Sequence, residues 1–190
     1  GTESRTVRVT DQTAPVITLV GAATVTVEAA TSYLDAGASA EDAVDGNLTG
    51  TLGTANPINE ATIKQPGSYT VTYTSTDSAG NSASASRTVN VVDQTAPVIT
   101  LNGAEAVNQE AGETYTDLGA SASDTVDGSV PVTVDASAVN VNVLGSYTVT
   151  YSATDAANNT ASTTRTVQVQ DTTAPVISLL GESEVVVEAG

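Results

Sequence analysis

The chain has 190 residues and carries five basic against 22 acidic side chains, which gives a net charge of −17. Such an excess of acid excludes nucleic-acid binding, which needs lysine and arginine to displace counterions, and opposes attraction to anionic lipid surfaces. With neither histidine nor cysteine, the chain lacks the commonest general base and the thiol nucleophile. We therefore predict that it is not an enzyme.

The apolar residues predict an all-β fold. They make up 39% of the chain and include no Phe, Trp or Met and only six Tyr, so a core must be built from Val, Ile, Leu, Ala and a few Tyr. Small β-branched side chains pack well between pleated sheets and poorly in helical bundles. No apolar run approaches the roughly 18 residues of a membrane span, so we expect no membrane insertion.

Nearly identical segments recur along the chain and divide it into repeats. The segment Asp11-Gln-Thr-Ala-Pro-Val-Ile-Thr-Leu returns unchanged from Asp93 and in a variant form from Asp171. We predict one full repeat over 11–92 and a second over 93–170. Residues 1–10 match the last strand of a preceding repeat, and 171–190 match the first strands of a following, truncated one.

Within each repeat, alternation of apolar and polar residues predicts strands. Pro15 and Pro97 precede the first strand of each repeat, where a missing N–H is tolerated. The segment 67–74 alternates Tyr and Val with Thr, as a half-buried strand does. The same pattern in the second repeat predicts strands over 130–135 and 139–143. Short strands between Asp-Gly and Gly-Ser turns indicate a β-sandwich.

Three motifs shared by both repeats resemble a known family. They are D-x-T-A-P-V-I at the start, Y-x-D-x-G-A-x-A-x-D-x-V-D-G in the middle and G-S-Y-T-V-T-Y-x-x-x-D-x-A-x-N near the end. Together they are similar to the bacterial immunoglobulin-like domains related to the hyalin repeat, found in tandem in large surface proteins and adhesins. The resemblance implies a seven-strand, Greek-key immunoglobulin-like sandwich in each repeat and a location outside the cell, at its surface.

Acidic residues at one pole of each predicted sandwich form a candidate metal site. In an immunoglobulin-like sandwich, the N-terminus lies at the same pole as the loop after the second strand and the loop before the last strand. Oxygen ligands from three such segments suit Ca²⁺, which takes about six to eight of them. The candidate ligands are Asp11, Asp42, Asp45, Asp77 and Asn81 in the first repeat, and Asp93, Asp124, Asp127, Asp155 and Asn159 in the second.

Turn chemistry explains the same residues without a cation. Asp-Gly favours hairpin turns, and Asp and Asn side chains bond to their own backbone in turns. Asp77 and Asn81 would then cap the turn before the last strand, and Asp11 would be a solvated linker residue. Because turn residues and ligands would recur equally between repeats, the sequence leaves both interpretations open.

Three other recurring residues receive structural interpretations. Tyr73 is expected in the core or at a corner, with its hydroxyl bonded to backbone. Arg87 is expected to pair with an acidic loop, where an exposed pair contributes about 0–1 kcal/mol, and Glu28 is expected to face the preceding repeat. Their counterparts in the second repeat are Tyr151, Arg165 and Glu110.

The sequence as a whole predicts a structural function. Tandem sandwiches would act as an extender, either an adhesin stalk or a fibre shaft, with neighbouring repeats of the same chain as partners and Ca²⁺ at the junctions setting the stiffness. Two alternatives stay open. One is a binding module, a calcium-dependent lectin-like or protein-interaction domain; the other is a filament subunit that pairs with other copies of itself through exposed strand edges.

Overall fold

The computed structural model describes residues 1–181 and 183–190, and its regular structure is almost entirely β. Within the described residues, the strands form four sheets of three or four strands each. The chain divides into two compact units: Gly1–Ala96 with Asp124–Gly128 and Ala156–Asn159, and Pro97–Ser123 with Ser129–Asp155 and Thr160–Gly190. Among the described residues, no helix has the length and apolar character needed to cross a membrane.

The first repeat contains seven strands in two sheets. These are β1 (Val16–Leu19), β2 (Thr24–Glu28), β3 (Ala38–Asp42), β4 (Gly46–Asn47), β5 (Gly53–Ala55), β6 (Gly67–Thr76) and β7 (Ser82–Val92), with short 3-10 helices at Thr49–Thr51 and Thr62–Lys64. One sheet has the order β1-β3-β4 and the other β2-β7-β6-β5. All neighbouring strands are antiparallel except β2 and β7, which are parallel.

The second repeat has the same plan. Its strands are β8 (Val98–Leu101), β9 (Ala106–Glu110), β10 (Ala120–Asp124), β11 (Gly128–Val130), β12 (Val132–Asp135), β13 (Gly145–Thr154) and β14 (Thr160–Gln170). They form the sheets β11-β10-β8 and β12-β13-β14-β9, and β9 runs parallel to β14. The prediction of an all-β fold built from seven-strand sandwiches is confirmed.

The core of each sandwich lies between its two sheets. In the first, Val71 and Val89 are completely buried and Tyr73 is 1% exposed, and they pack against Ile17 and Leu19 of the facing sheet. In the second, the core consists of Val149, Tyr151, Val167 and Val169, packed against Ile99 and Leu101. The alternation predicted for 67–74 is therefore the inward and outward alternation of β6, and each central strand contributes every second side chain to the core.

The strand predicted over 130–135 is two strands. β11 ends at Val130 in one sheet, and β12 begins at Val132 in the other. Pro131 lies between them, and its missing N–H suits the point at which the chain leaves one ladder for the next. Val130 is buried while Val134 is 41% exposed, so the regular spacing of valines does not mark one continuous face.

The strand predicted over 139–143 is wrong, because this segment forms turns. The N–H of Val139 donates to the carbonyl of Ala136, and the N–H of Val143 donates to the carbonyl of Asn140. The side chain of Asn140 also accepts a hydrogen bond from the N–H of Asn142 at 3.0 Å. Asn side chains thus compete for backbone donors here, and the alternation of Val and Asn reflects turn chemistry.

The segments outside the two sandwiches have no assigned strands. This holds for residues 1–15 and for the described residues of 171–190. Their assignment to neighbouring repeats, and the boundaries 11–92 and 93–170, stay predictions. Pro15 and Pro97 do lie immediately before β1 and β8.

Candidate metal centre

The turn between β3 and β4 positions Asp42 at one end of the first sandwich. Asp42 is the last residue of β3 and is 8% exposed. Its Oδ1 accepts hydrogen bonds from the N–H groups of Val44 at 2.7 Å and Asp45 at 3.0 Å. Gly46 completes the turn at φ +73°, a left-handed conformation that favours glycine. The second oxygen, Oδ2, is buried and has no hydrogen-bond partner in the described part of the chain.

The turn between β6 and β7 positions Asp77, which is 6% exposed. Its Oδ1 accepts a hydrogen bond from the N–H of Asn81, and its Oδ2 accepts one from the Nδ2 of the same residue, both at 2.7 Å. Burial raises the pKa of the Asp77 carboxyl, but the hydrogen bonds from Asn81 and from the backbone of Gly80 and Ala79 together outweigh burial and hold the pKa below its usual value. Asp77 is therefore charged at neutral pH.

The linker before β1 places Asp11 beside these turns. Its Oδ1 accepts a hydrogen bond from the N–H of Thr13 at 3.0 Å. Its Oδ2 is buried and has no partner among residues 1–181 and 183–190. The Nδ2 of Asn81 lies 3.4 Å from the carbonyl oxygen of Asp11 and 3.3 Å from that of Thr13. The amide of Asn81 thus fastens the linker to the β6–β7 turn.

Asp11, Asp42 and Asp77 together form the acidic group of the first repeat. Each offers a carboxylate oxygen, and these oxygens lie within 4.8 Å of one another. Like charges at this distance repel each other, more strongly where water is excluded, and a buried carboxylate oxygen without a hydrogen bond is costly. A cation among the three would remove both penalties, and an all-oxygen donor set fits Ca²⁺.

Asp93, Asp124 and Asp155 are the corresponding acids of the second repeat. Asp93 and Asp124 both belong to the first compact unit, are 8% and 9% exposed, and offer carboxylate oxygens within 4.8 Å of each other. Asp155 directly follows β13 and is 7% exposed. Hydrogen bonds from the N–H groups of Asp127 and Val126 lower the pKa of Asp124, so Asp124 repeats the turn geometry of Asp42.

Two predicted ligands, Asp45 and Asp127, do not belong to these groups. The carboxylate of Asp45 accepts hydrogen bonds from the N–H of Ser78 at 2.6 Å and from its hydroxyl at 2.8 Å. Asp127 accepts one from the N–H of Ala156 at 2.8 Å. Asp45 therefore links the β3–β4 turn to the β6–β7 turn, and Asp127 links the β10–β11 turn to the segment between β13 and β14.

The two predicted asparagine ligands present a nitrogen to the linker. The Nδ2 of Asn159 donates to the carbonyls of Asp93 at 3.2 Å and Thr95 at 3.3 Å, as Asn81 does in the first repeat. These amides position the linker acids. In the first repeat, the ligand and turn interpretations are compatible, because Asp11 and Asp42 each use one oxygen for a turn and leave the other without a partner among the described residues.

A buried ionic network is the main feature that the sequence interpretation missed. Arg87 is 1% exposed and pairs with Asp35, so the expected exposed ion pair is wrong. The hydroxyl of Tyr73 also donates to Asp35, where a backbone partner was expected. Burial and the hydrogen bond to Asp35 raise the pKa of Tyr73 to about 12. The sequence contains a signal for the buried arginine. Arg87 and Val89 are two residues apart on β7, so their side chains point to the same, inward face of the sheet.

The second repeat contains the same network. Arg165 is completely buried, and its Nη1 lies 2.7 Å from Oδ1 of Asp117. The hydroxyl of Tyr151 donates to the same oxygen at 2.5 Å. The remaining donors of Arg165 reach the carbonyls of Ala104 at 3.0 Å and Asn102 at 2.6 Å. These contacts satisfy the buried guanidinium, which is therefore a structural element of the core.

Glu28 and Glu110 bind the residues that follow the last strand of their own repeat, instead of facing the preceding repeat as expected. Glu28 accepts hydrogen bonds from the N–H of Gln94 and the hydroxyl of Thr95, both at 2.8 Å. Glu110 accepts them from the N–H and hydroxyl groups of Thr172 and Thr173. The hydrogen bonds from Thr172 contribute most to lowering the pKa of Glu110 to about 2.

Comparison with known families agrees with this architecture. A family model described as "Bacterial surface protein, Ig-like domain" matches residues 17–91 and 99–169, more than half of the chain. The chain belongs to this family. As a bacterial surface Ig-like protein, it is a tandem surface module. No curated protein matches it.

Several solved structures are similar to parts of this bacterial surface Ig-like protein. One contains CBM51-2 in complex with GlcNAc and INT domains of ZmpB from Clostridium perfringens, with 25% identity, a TM-score of 0.34 and coverage of 47% of this chain and 20% of that one. Another contains the M60 catalytic domain with CBM51-1 and CBM51-2 of the same protein, with 14% identity and a TM-score of 0.43. The similarity covers 83% of this chain and 31% of that one. A lipoprotein from Bacteroides thetaiotaomicron shows 13% identity and a TM-score of 0.38. The similarity covers 81% of this chain and 100% of that one.

Proposed function

We propose that the two repeats are non-catalytic extender modules of a bacterial surface protein, stiffened by Ca²⁺ at the linker of each repeat. The observation that carries the cation is the pair of buried oxygens, Asp11 Oδ2 and Asp42 Oδ2, which have no hydrogen-bond partner among the described residues. They belong to two of the three acids of the group that includes Asp77. The surface family and the tandem arrangement support the extender.

The proposed mechanism uses the origin of the three acids. Asp42 belongs to the β3–β4 turn and Asp77 to the β6–β7 turn, so both are fixed to the sandwich. Asp11 belongs to the linker that leads into β1. A cation bound by all three would fasten the linker to the sandwich and restrict the angle at which the chain enters it. Without the cation, the linker would still be held by the hydrogen bonds from Asn81, but less firmly than with the cation.

The donor chemistry favours Ca²⁺ over other cations. The group offers carboxylate oxygens only, without the nitrogen or sulfur ligands that favour Zn²⁺. Ca²⁺ accepts flexible geometry and a mixture of carboxylate, carbonyl and water oxygens, whereas Mg²⁺ demands a near-ideal octahedron and is reluctant to lose water. A group assembled from a linker and two turns fits the more tolerant ion.

Thermal unfolding of chelator-treated protein tests this proposal. At 100 times its dissociation constant, a ligand that binds only the folded state adds about 2.7 kcal/mol, so millimolar Ca²⁺ should raise the melting temperature by a few degrees. Mg²⁺ at the same ionic strength should raise the melting temperature less than Ca²⁺ does. A melting temperature unchanged by Ca²⁺ would remove the cation from the proposal and leave a passive spacer.

A pair of variants assigns the effect to the site. Asp42→Asn keeps a side-chain oxygen for the turn and removes the charge, whereas Glu41→Gln removes a charge from the adjacent, exposed position on β3. We expect Asp42→Asn to reduce the calcium shift and to raise the stability of the chelated protein, since it relieves repulsion. Glu41→Gln should do neither. Equal behaviour of the two variants would contradict the proposed site.

A further inference from the structure

In each repeat, an early strand is paired in parallel with the last strand. In the first repeat, Thr24 lies opposite Thr88 and Glu28 lies opposite Val92. The pairing extends at both ends, where the N–H of Thr88 donates to the carbonyl of Ala23 at 2.9 Å and the N–H of Ala29 donates to the carbonyl of Val92 at 2.7 Å. In the second repeat, the same pairing runs from Ala106 and Thr166 to Glu110 and Gln170.

The parallel direction determines how tension acts on this pair. The chain enters β2 at one end of the pair and leaves β7 at the opposite end. The chain enters the repeat through β1, which pairs with β3, so tension on the two ends of the repeat reaches β2 once β1 has separated from β3. It then slides β2 and β7 along each other and loads their hydrogen bonds together. A pull applied to both strands at the same end would open the bonds one after another. We propose that each parallel pair is a shear clamp by which a repeat withstands tension along the chain.

Arg87 strengthens the end of the pair at which tension enters. It lies on β7, and its Nε donates to the carbonyl of Ala22 at 2.9 Å, while its Nη2 donates to the carbonyl of Val20. These carbonyls belong to the connection between β1 and β2. The guanidinium thus ties the segment before β2 directly to β7, and the ion pair with Asp35 fixes its orientation.

Glu28 strengthens the other end. It is the last residue of β2, and its carboxylate binds Gln94 and Thr95, just beyond the end of β7. Glu110 binds Thr172 and Thr173 in the same way at the end of β9. The chain therefore leaves each last strand while held by the partner strand, and side-chain bonds lie at both ends of the backbone ladder.

The clamp is a function beyond extension and needs no cation. It rests on the proposed extender role only for the source of the tension. Measurements in chelator separate the two proposals, because the clamp should persist there. A failed calcium melt would leave the clamp intact, and a weak clamp would leave the cation site intact.

Pulling the first repeat in two directions tests the clamp. The chain contains no cysteine, so introduced thiols define where the force acts. Thr24→Cys with Gln94→Cys loads the pair in shear, whereas Thr24→Cys with Ser86→Cys pulls across one end; all three positions are exposed. In optical tweezers, the shear pair should unfold at a several-fold higher force, although both double variants melt alike without force. Equal unfolding forces would overturn the proposal.

Proline variants test the backbone bonds of the clamp. Hydrogen-bonding groups alternate along a strand, and Ala23 and Ala29 face β7, so the N–H of Val25 also faces β7 and that of Thr26 faces away. Val25→Pro removes one ladder bond, and Thr26→Pro is the matched control. We expect Val25→Pro to unfold about tenfold faster under shear, equivalent to about 1.4 kcal/mol on the barrier. If both variants unfold at the same rate, the ladder does not bear the load.

Discussion

The two repeats differ most between the Asp-Gly turn and the long β-hairpin, and least at the buried ionic network. In the first, the segment from Gly46 to Gly67 is longer and contains two 3-10 helices and the edge strand β5. In the second, the segment from Gly128 to Gly145 crosses from β11 to β12 and continues in turns. The partners of Arg87 and Arg165 nevertheless correspond group by group.

This comparison distinguishes the buried network, which is kept in both repeats, from the edge of the sheet, which differs between them. β5 and β12 lie at a sheet edge, so each has one strand neighbour and tolerates a change of length. The buried arginine has no such freedom, because every donor must find an acceptor in an interior that excludes water. The sandwich can therefore change its edge and keep its network.

The largest expected effect is the loss of a buried arginine. Arg87→Met would leave Asp35 without its cation, and breaking a buried pair costs about 3–5 kcal/mol. Urea unfolding should show this loss for the first sandwich and a similar one for the second with Arg165→Met. Arg5→Met, at an exposed position, is the control and should change little.

A double variant sharpens this result. Adding Asp35→Leu to Arg87→Met removes the uncompensated charge, so part of the lost stability should return. If the double variant is as unstable as the sum of the single variants, the ion pair is not the source of the loss. Unequal losses for Arg87→Met and Arg165→Met would show that the two networks are not equivalent.

An intermediate effect is expected at alkaline pH. Tyr73 ionises near pH 10.0 when unfolded and at about pH 12 in the fold, because of burial and its bond to Asp35. The unfolded state loses its proton first, so the unfolding free energy should fall as pH rises from about 10 towards 12. Tyr73→Phe should flatten this fall for the first sandwich only, since Tyr151 also has a raised pKa. Urea unfolding between about pH 10 and 12 measures this fall. If the unfolding free energy of Tyr73→Phe falls as steeply with pH as that of the unmodified protein, Tyr73 is not its source.

The smallest expected effect concerns one turn after the second strand. Ala30 has φ +58° where the second repeat has Gly112 at φ +80°, and a Cβ on Gly112 would meet no neighbour within 4 Å. Backbone strain alone should therefore decide the outcome, at about 1 kcal/mol. Ala30→Gly should stabilise the first sandwich, and Gly112→Ala should destabilise the second. Calorimetry would check both signs, and two changes of the same sign would show that the turns differ in more than φ.

Sequence reasoning predicted the fold where two signals agreed. β6 has both the alternation of Tyr69, Val71 and Tyr73 and a Gly-Ser start, and it was predicted correctly. The segment 139–143 has alternation alone, and the asparagines between its valines bond to backbone in turns. Periodicity alone therefore does not distinguish a strand from a series of turns.

The candidate site was predictable in part. The topology of an immunoglobulin-like sandwich was enough to expect Asp11, Asp42 and Asp77 at one pole, although the turn of Asp42 follows the third strand and not the second. Which oxygen of Asp42 completes a turn, and which has no partner in the part of the chain that the structure describes, depends on side-chain orientation. Residue types do not specify this orientation. For the same reason, residue types alone do not predict the hydrogen bonds that Asp45 accepts from Ser78.

The parallel pair also constrains when a repeat can fold. Because Thr24 lies opposite Thr88, β2 has no partner until nearly the whole repeat has been synthesised or exported. Contacts this distant in sequence form late and slow the folding of β-rich domains. A chain delivered from its N-terminus should therefore fold one complete repeat at a time, with each last strand closing its own sandwich.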